Sequence, residues 1–148
     1  MSVIPDSAHT IRHAEPRDIP RLSQLMSELC GHPISATEAA ERLAMVQHSP
    51  IDQLFVFEQD DEVKGLLGFR LRENIEECSR YGEISVIVID PLARRQGVGQ
   101  ALIAHAETLA EHYGCKGTWL VSGLAREEAH AFYQQLGYQI NGYRFVKE

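Results

Sequence analysis

Cysteine is scarce in this chain. Cys30, Cys78 and Cys115 stand far apart and in no metal-ligand spacing, so three free thiols in a reducing compartment are expected rather than a disulfide framework or a metal site. Long apolar runs are missing as well. No stretch approaches the length needed to span a bilayer, and the amino terminus lacks the apolar core of a signal peptide, which points to a cytoplasmic protein with no membrane partner. There is no basic excess: the formal charge is −7 at pH 7. Nucleic acid and anionic membranes select basic surfaces, so neither is expected as the main partner. Repeats, low-complexity tracts and linkers are also absent. What remains is ordinary globular material, 148 residues of which 44% are hydrophobic and 24% charged, enough for one domain with one sizeable core over residues 1–148.

The chain is organised around the stretch from Tyr81 to Ala110, YGEISVIVIDPLARRQGVGQALIAHAETLA. Ile84 to Ile89 is an apolar, β-branched run, interrupted only by Ser85, that Asp90-Pro91 ends, because proline has no N–H for a ladder. Apolar residues then return at Val98, Ala101, Leu102, Ala106, Leu109 and Ala110, the spacing of one helix face. A strand therefore feeds a helix through a turn holding Gly97 and Gly99. The unpaired first N–H groups of a helix, at the positive end of its dipole, attract anions, and a residue without a side chain lets a phosphate approach closely. Arg94 and Arg95 add cationic charge. The glycine spacing departs from the dinucleotide fingerprint, and the Lys-Ser/Thr of a nucleotide-triphosphate loop is missing.

Met1 to His9 shows no periodicity and reads as a loose arm, followed by a short strand over Thr10 to Ala14. Ile19, Leu22, Leu25, Met26 and Leu29 mark a helix that Gly31 ends. Ser35-x-x-Glu38 has capping-box form and opens a second helix that Ser49-Pro50 stops. Gln53 to Glu58 and Val63 to Leu71 read as a hairpin, with Val63, Gly65, Leu67, Phe69 and Leu71 on one face and Arg70 and Arg72 on the other. Glu73 to Arg80 is a polar loop, where Glu73, Glu76 and Glu77 read first as a solvated cluster. Beyond the central helix come a strand over Thr118 to Ser122 and a helix over Glu127 to Leu136. Strands Tyr138 to Ile140 and Tyr143 to Lys147 join at the type I′ turn signal Asn141-Gly142.

The pattern Arg94-x-x-Gly97-x-Gly99, after a hydrophobic strand carrying Glu83, resembles the acetyl-CoA signature of the GNAT family of N-acetyltransferases. Ala129 to Tyr138, AHAFYQQLGY, resembles that family's second motif. The resemblance covers roughly Thr10 to Lys147. It implies an α/β (α+β) fold: a mixed, mainly antiparallel sheet of six to seven strands flanked by about four helices and splayed between its fourth and fifth strands. It also implies acetyl-CoA as cosubstrate, bound by Ile87, Val88 and Ile89 along the strand and by Arg94, Arg95, Gln96, Gly97, Val98, Gly99 and Gln100 at the turn. Arg126 falls where many members have an asparagine that contacts the cofactor. No metal is required.

Acetyl transfer from a thioester to an amine requires a base for the ammonium, a donor for the oxyanion and accommodation of the thiolate. A primary amine titrates near ~10, as lysine does, so a base must assist at neutral pH. Glu83 stands where many members carry that base. Strand alternation groups Glu83 with Ser85, Ile87 and Ile89, and a carboxylate ending an apolar row is expected to titrate high. Resemblance points to the Ile87 N–H as oxyanion donor and to Tyr133 as the group that protonates the thiolate. Val86 departs from the family, where many relatives place a second acidic or polar residue nearby. His130, one helical turn before Tyr133, reads as a structural histidine at least as readily as a functional one, and His105 and His112 read as surface residues. Within the family the chain resembles the aminoalkylphosphonate N-acetyltransferases, which implies a small-molecule amine as partner and an arginine among Arg70, Arg72, Arg80 and Arg144 to neutralise its anion. The Glu73, Glu76 and Glu77 cluster argues instead for a polycationic amine. A protein amino terminus or lysine as acceptor, and a non-catalytic acetyl-CoA-binding module, are the alternatives. Homodimerisation, with the terminal hairpin offering an edge, is an expectation from fold analogy.

Overall fold

The computed structural model describes residues 8–124 and 126–148. Among them are β1 (His9–His13), α1 (Ile19–Cys30), α2 (Ala36–His48), β2 (Asp52–Gln59), β3 (Glu62–Asn74), β4 (Ser79–Ile89), α3 (Val98–His112), β5 (Gly117–Leu120) and α4 (Glu127–Gln135). The arm expected at the amino terminus lies outside the described residues up to Ser7, and His9 opens β1.

Local chemistry sets the helix ends. Ser35 Oγ accepts the Glu38 N–H at 3.1 Å while Glu38 Oε1 accepts the Ser35 N–H at 3.3 Å, the reciprocal capping box read from sequence. Gly31 closes α1 at φ 75°, a conformation that costs glycine little.

The strands lie in the order β1-β2-β3-β4-β5, antiparallel except for the parallel pair β4 and β5. The sheet is covered on both faces. Leu22, Leu25, Met26 and Leu43 of α1 and α2 pack on Leu54, Val56, Leu66 and Val88. Leu102, Ile103 and Ala106 of α3 pack on Phe55, Phe57, Leu67, Phe69 and Ile84 on the opposite face. Strands covered on both sides must be apolar at successive positions, and Leu54-Phe55-Val56-Phe57 is. Each fully buried Leu or Phe contributes about 1.5–3 kcal/mol of transfer free energy.

Two bulges change which residues share a face. Gly68 pairs with Val86 and Phe69 with Ile84, which leaves Ser85 as the extra residue of β4. Glu83 therefore shares its face with Val86 and Val88, and Ile87 and Ile89 point the other way, so the grouping expected from strict alternation is corrected. Lys64 is a second extra residue, between the pairs Phe57 with Gly65 and Glu58 with Val63. It turns Val63 toward α1, away from Gly65 and Leu67.

The sheet has five strands among the described residues, not six to seven. Tyr138 to Ile140 and Tyr143 to Lys147 adopt no regular structure despite their turn signal. A two-stranded ribbon is marginal without a third neighbour. Tyr138 is also held by its side chain, with its hydroxyl 2.7 Å from Thr118 Oγ1 and 3.1 Å from Glu107 Oε2. The outer edge of β5 consequently carries no strand among the described residues. The loop expected from Glu73 to Arg80 is shorter than read, because ladder pairing continues to Asn74 and Ser79.

Candidate active site

Pairing of β4 with β5 runs from Tyr81 with Gly117 to Ile84 with Leu120 and stops. From Ser85 to Ile89 the edge of β4 has no strand against it among the described residues. Strand backbone left unpaired in this way offers N–H and C=O groups to a ligand. Ile87 and Ile89 line this opening on the side of α3 and α4, whereas Val88 is buried under α1.

The turn that follows is clamped from below. Asp90 accepts the Leu92 N–H at 2.8 Å, donates its own N–H to Lys64 O at 2.9 Å, and pairs with Arg21 of α1. The Leu92 N–H and then the Arg21 guanidinium hold its carboxyl below the usual carboxylate range. Arg95 at φ 64° and Gly97 at φ 83° turn the chain into α3, a helix of 15 residues. Val98, Gly99 and Gln100 supply its first N–H groups, and the Val98 side chain is buried, so it offers backbone alone. Arg94 and Arg95 are exposed; Arg94 reaches Glu28 of α1 at 3.4 Å, and Gln96 donates to Leu92 O at 3.4 Å. A helix N-terminus beside exposed guanidinium groups fits phosphate. Gly99 has a second cause: a Cβ there would meet Phe132 Cζ of α4 at 3.3 Å.

On the α1 face, one ladder row crosses the sheet through Asp52, Arg70, Glu83 and Trp119. Arg70 Nε lies 3.7 Å from Asp52, and Arg72 Nε lies 3.7 Å from Glu83 Oε1. The Arg72 guanidinium also stands over the Trp119 ring at 5.6 Å. Glu83 is thus half-buried, one residue below the parting of the strands, beside cations rather than at the end of an apolar row. Sequence reasoning missed Trp119; the signal was that it is the chain's single tryptophan. Arg80 is committed elsewhere, to Glu73 at 2.7 Å and the Tyr113 carbonyl at 3.2 Å. Glu77 reaches Lys116 at 3.5 Å, and the acidic cluster is exposed.

Tyr133 lies on the opposite face, half-buried between Phe132 and Tyr138, with ring centroids at 5.5 and 6.3 Å. Burial pushes its phenol up, and the charge of Arg126 opposes that shift. Arg126 itself is exposed at the start of α4. His130 Nε2 lies 2.8 Å from the Gly123 carbonyl, a structural contact that braces this turn. His105 is not the surface residue expected. It is half-buried, edge-on to Phe55 with centroids at 4.6 Å, and its Nε2 is buried without a hydrogen-bond partner among the described residues. No group of three or more His, Cys, Asp or Glu side chains that could hold a metal occurs among the described residues, and no helix there is long and apolar enough to cross a membrane.

A mixed sheet parted beside a glycine turn, with a carboxylate on one side and a phenol on the other, is the layout of an acetyl-CoA-dependent N-acetyltransferase. The chain belongs to the acetyltransferase (GNAT) family, whose pattern it matches over residues 19–138. It is 28% identical over 137 residues to the aminoalkylphosphonate N-acetyltransferase of Salmonella typhimurium, covering 93% of this chain and 89% of that protein. Solved structures share the fold. A GNAT family acetyltransferase of Staphylococcus aureus has TM-score 0.81 at 23% identity, covering 96% of this chain and 99% of that one. An aminoglycoside N-acetyltransferase in complex with CoA has TM-score 0.83 at 18% identity, covering 99% and 98%.

Proposed function

We propose that this protein, as one domain over residues 1–148, transfers the acetyl group of acetyl-CoA to a primary amine of a small molecule, with Glu83 as the base. The observation that carries this reading is the position of Glu83 just below the parting of β4 and β5, with the α3 N-terminus and Tyr133 on the other side of the same opening. The backbone of Val98, Gly99 and Gln100, with Arg94, Arg95 and Gln96 around it, suits the cofactor's phosphates. The free β4 edge at Ile87, Val88 and Ile89 suits its amide arm, and Arg126 stands at the mouth of α4. Glu83 takes a proton from the ammonium, directly or through water. The amine nitrogen attacks the thioester carbonyl carbon, with the Ile87 N–H as donor to its oxygen. The C–S bond breaks, the Tyr133 phenol gives its proton to the departing sulfur, and the second proton of the attacking nitrogen passes to the resulting phenolate. The curated relative that acts on aminoalkylphosphonates supports a small acceptor. A cytoplasmic homodimer completes the reading.

Thiol release from acetyl-CoA across an amine panel, for wild type and Glu83→Gln over a range of pH, tests it. Wild type is expected to show amine-dependent release that falls roughly 10²- to 10⁴-fold in the variant at neutral pH. The loss should shrink toward pH ~10, where the amine deprotonates unaided. Tight acetyl-CoA binding without release for any amine or peptide would leave a binding module, and peptides outcompeting small amines would make the acceptor a protein.

A further inference from the structure

Arg72 is the least committed cation beside Glu83. Its Nε lies 3.7 Å from Glu83 Oε1, beyond hydrogen-bond reach, and no hydrogen bond to its guanidinium is seen among the described residues. The Trp119 ring lies 5.6 Å from its guanidinium carbon on one side, and 45% of its side chain is open to solvent. Its five N–H donors are therefore unspent among the described residues, a fork that matches carboxylate or phosphonate oxygens. Arg70, directly across the ladder from Glu83, differs: it is shared with Asp52, and its Nε is buried.

An ammonium that approaches Glu83 must come close to two guanidinium groups. A monocationic or polycationic amine meets their repulsion with nothing to offset it. An amine that carries its own anion a short spacer away meets the opposite situation, because the anion faces Arg72 while the nitrogen faces Glu83. We propose that Arg72 is the specificity-determining residue of this site. It binds the anionic group of a small zwitterionic amine and, in doing so, exchanges its pairing with Glu83 for the substrate's anion, which frees the carboxylate to accept the ammonium proton. No bond is made or broken in this exchange beyond those of acetyl transfer. The inference rests on Glu83 being the base of the reaction proposed above, and it assigns the selectivity of that reaction to one side chain.

The experiment compares kcat and KM of wild type, Arg72→Ala and Arg72→Lys for three amines of similar length, 2-aminoethylphosphonate, β-alanine and propylamine, with spermidine as a polycation. Wild type should favour one or both anionic amines over propylamine by roughly 10- to 100-fold in kcat/KM, the worth of hydrogen bonds to a charged group. Arg72→Ala should lose that preference through KM for the anionic amines, and raise kcat for propylamine because Glu83 is no longer shared. Arg72→Lys, which keeps the charge without the planar fork, should fall between. Methylphosphonate added to wild type should raise propylamine turnover and leave Arg72→Ala unaffected. Equal losses on propylamine and the anionic amines in Arg72→Ala, or a wild-type preference for spermidine, would overturn the role of Arg72 while leaving acetyl transfer intact. Absence of release for every amine and peptide would overturn the transfer reading itself.

Discussion

His105 shows how much a single side chain depends on what lies over it. On α3 it follows the apolar stripe closely enough to be drawn against Phe55, edge-on, and His13 stacks on the same ring at 4.6 Å. Burial, aided by the positive charge that His13 can carry, holds the His105 imidazole below the usual histidine range. The sign of the consequence follows. Below pH ~6.5 the unfolded chain takes up a proton at this residue that the folded chain refuses, so stability falls with pH from there to the lower folded value. Thermal unfolding between pH 7 and 5 should therefore show a smaller decline for His105→Leu than for wild type; identical slopes would count against a buried, neutral imidazole. Glu83 makes the complementary point. Its place at the start of the apolar strand and its distance from the glycines were legible in sequence, but its neighbours Arg72 and Trp119 come from strands that only pairing brings together.

The element that organises the molecule, the turn from β4 into α3, uses its two glycines differently. Gly97 is set by backbone conformation, since φ 83° places an L side chain against its own carbonyl. Gly97→Ala should cost about 1–2 kcal/mol in denaturant unfolding. Gly99 has helical backbone and is set by packing, with Phe132 filling the space a methyl group would need. Gly99→Ala should leave stability within about 1 kcal/mol but displace α4, raising the KM for acetyl-CoA and lowering the Tyr133-dependent rate. An unchanged KM would show that α4 yields without consequence. Sequence spacing located both glycines. It could not separate a conformational requirement from a steric one, because Phe132 lies 33 positions away along the chain. Bulges elude sequence for a related reason: a lone serine in the run Ile84 to Ile89 fits an ordinary strand position as well as a bulge, and what accommodates it is Gly68 on the neighbouring strand, where a Cβ would sit 2.6 Å from Ser85 Oγ.

At the scale of the whole molecule, the carboxyl-terminal segment is out of balance with the rest. Phe145 is 93% exposed and Tyr143 80%, Ile140 and Val146 are also largely exposed, and the β5 edge beside the Tyr138 anchor carries no strand among the described residues. A strand-patterned segment and an unpaired edge on the same chain are complementary between two copies, so a closed two-fold exchange is expected. Size-exclusion chromatography with light scattering should give a dimer for the full chain and a monomer after removal of residues 141–148. A monomeric full chain would leave the segment to fold back on its own β5.

The order of strands and helices, the capping box at Ser35, the end of α1 at Gly31 and the glycine turn were all determined by the sequence, because each rests on interactions within a few residues. The family was legible too, since its motifs are local. Tertiary structure alone decided that Glu83 faces away from Ile87 and Ile89, that Arg72 lies beside both Glu83 and Trp119, that His105 is half-buried with its Nε2 enclosed, and that Tyr138 to Lys147 forms no strands. Each of these depends on a bulge, a ladder partner or a covering residue contributed from far along the chain, and no local pattern encodes which edge a strand will meet.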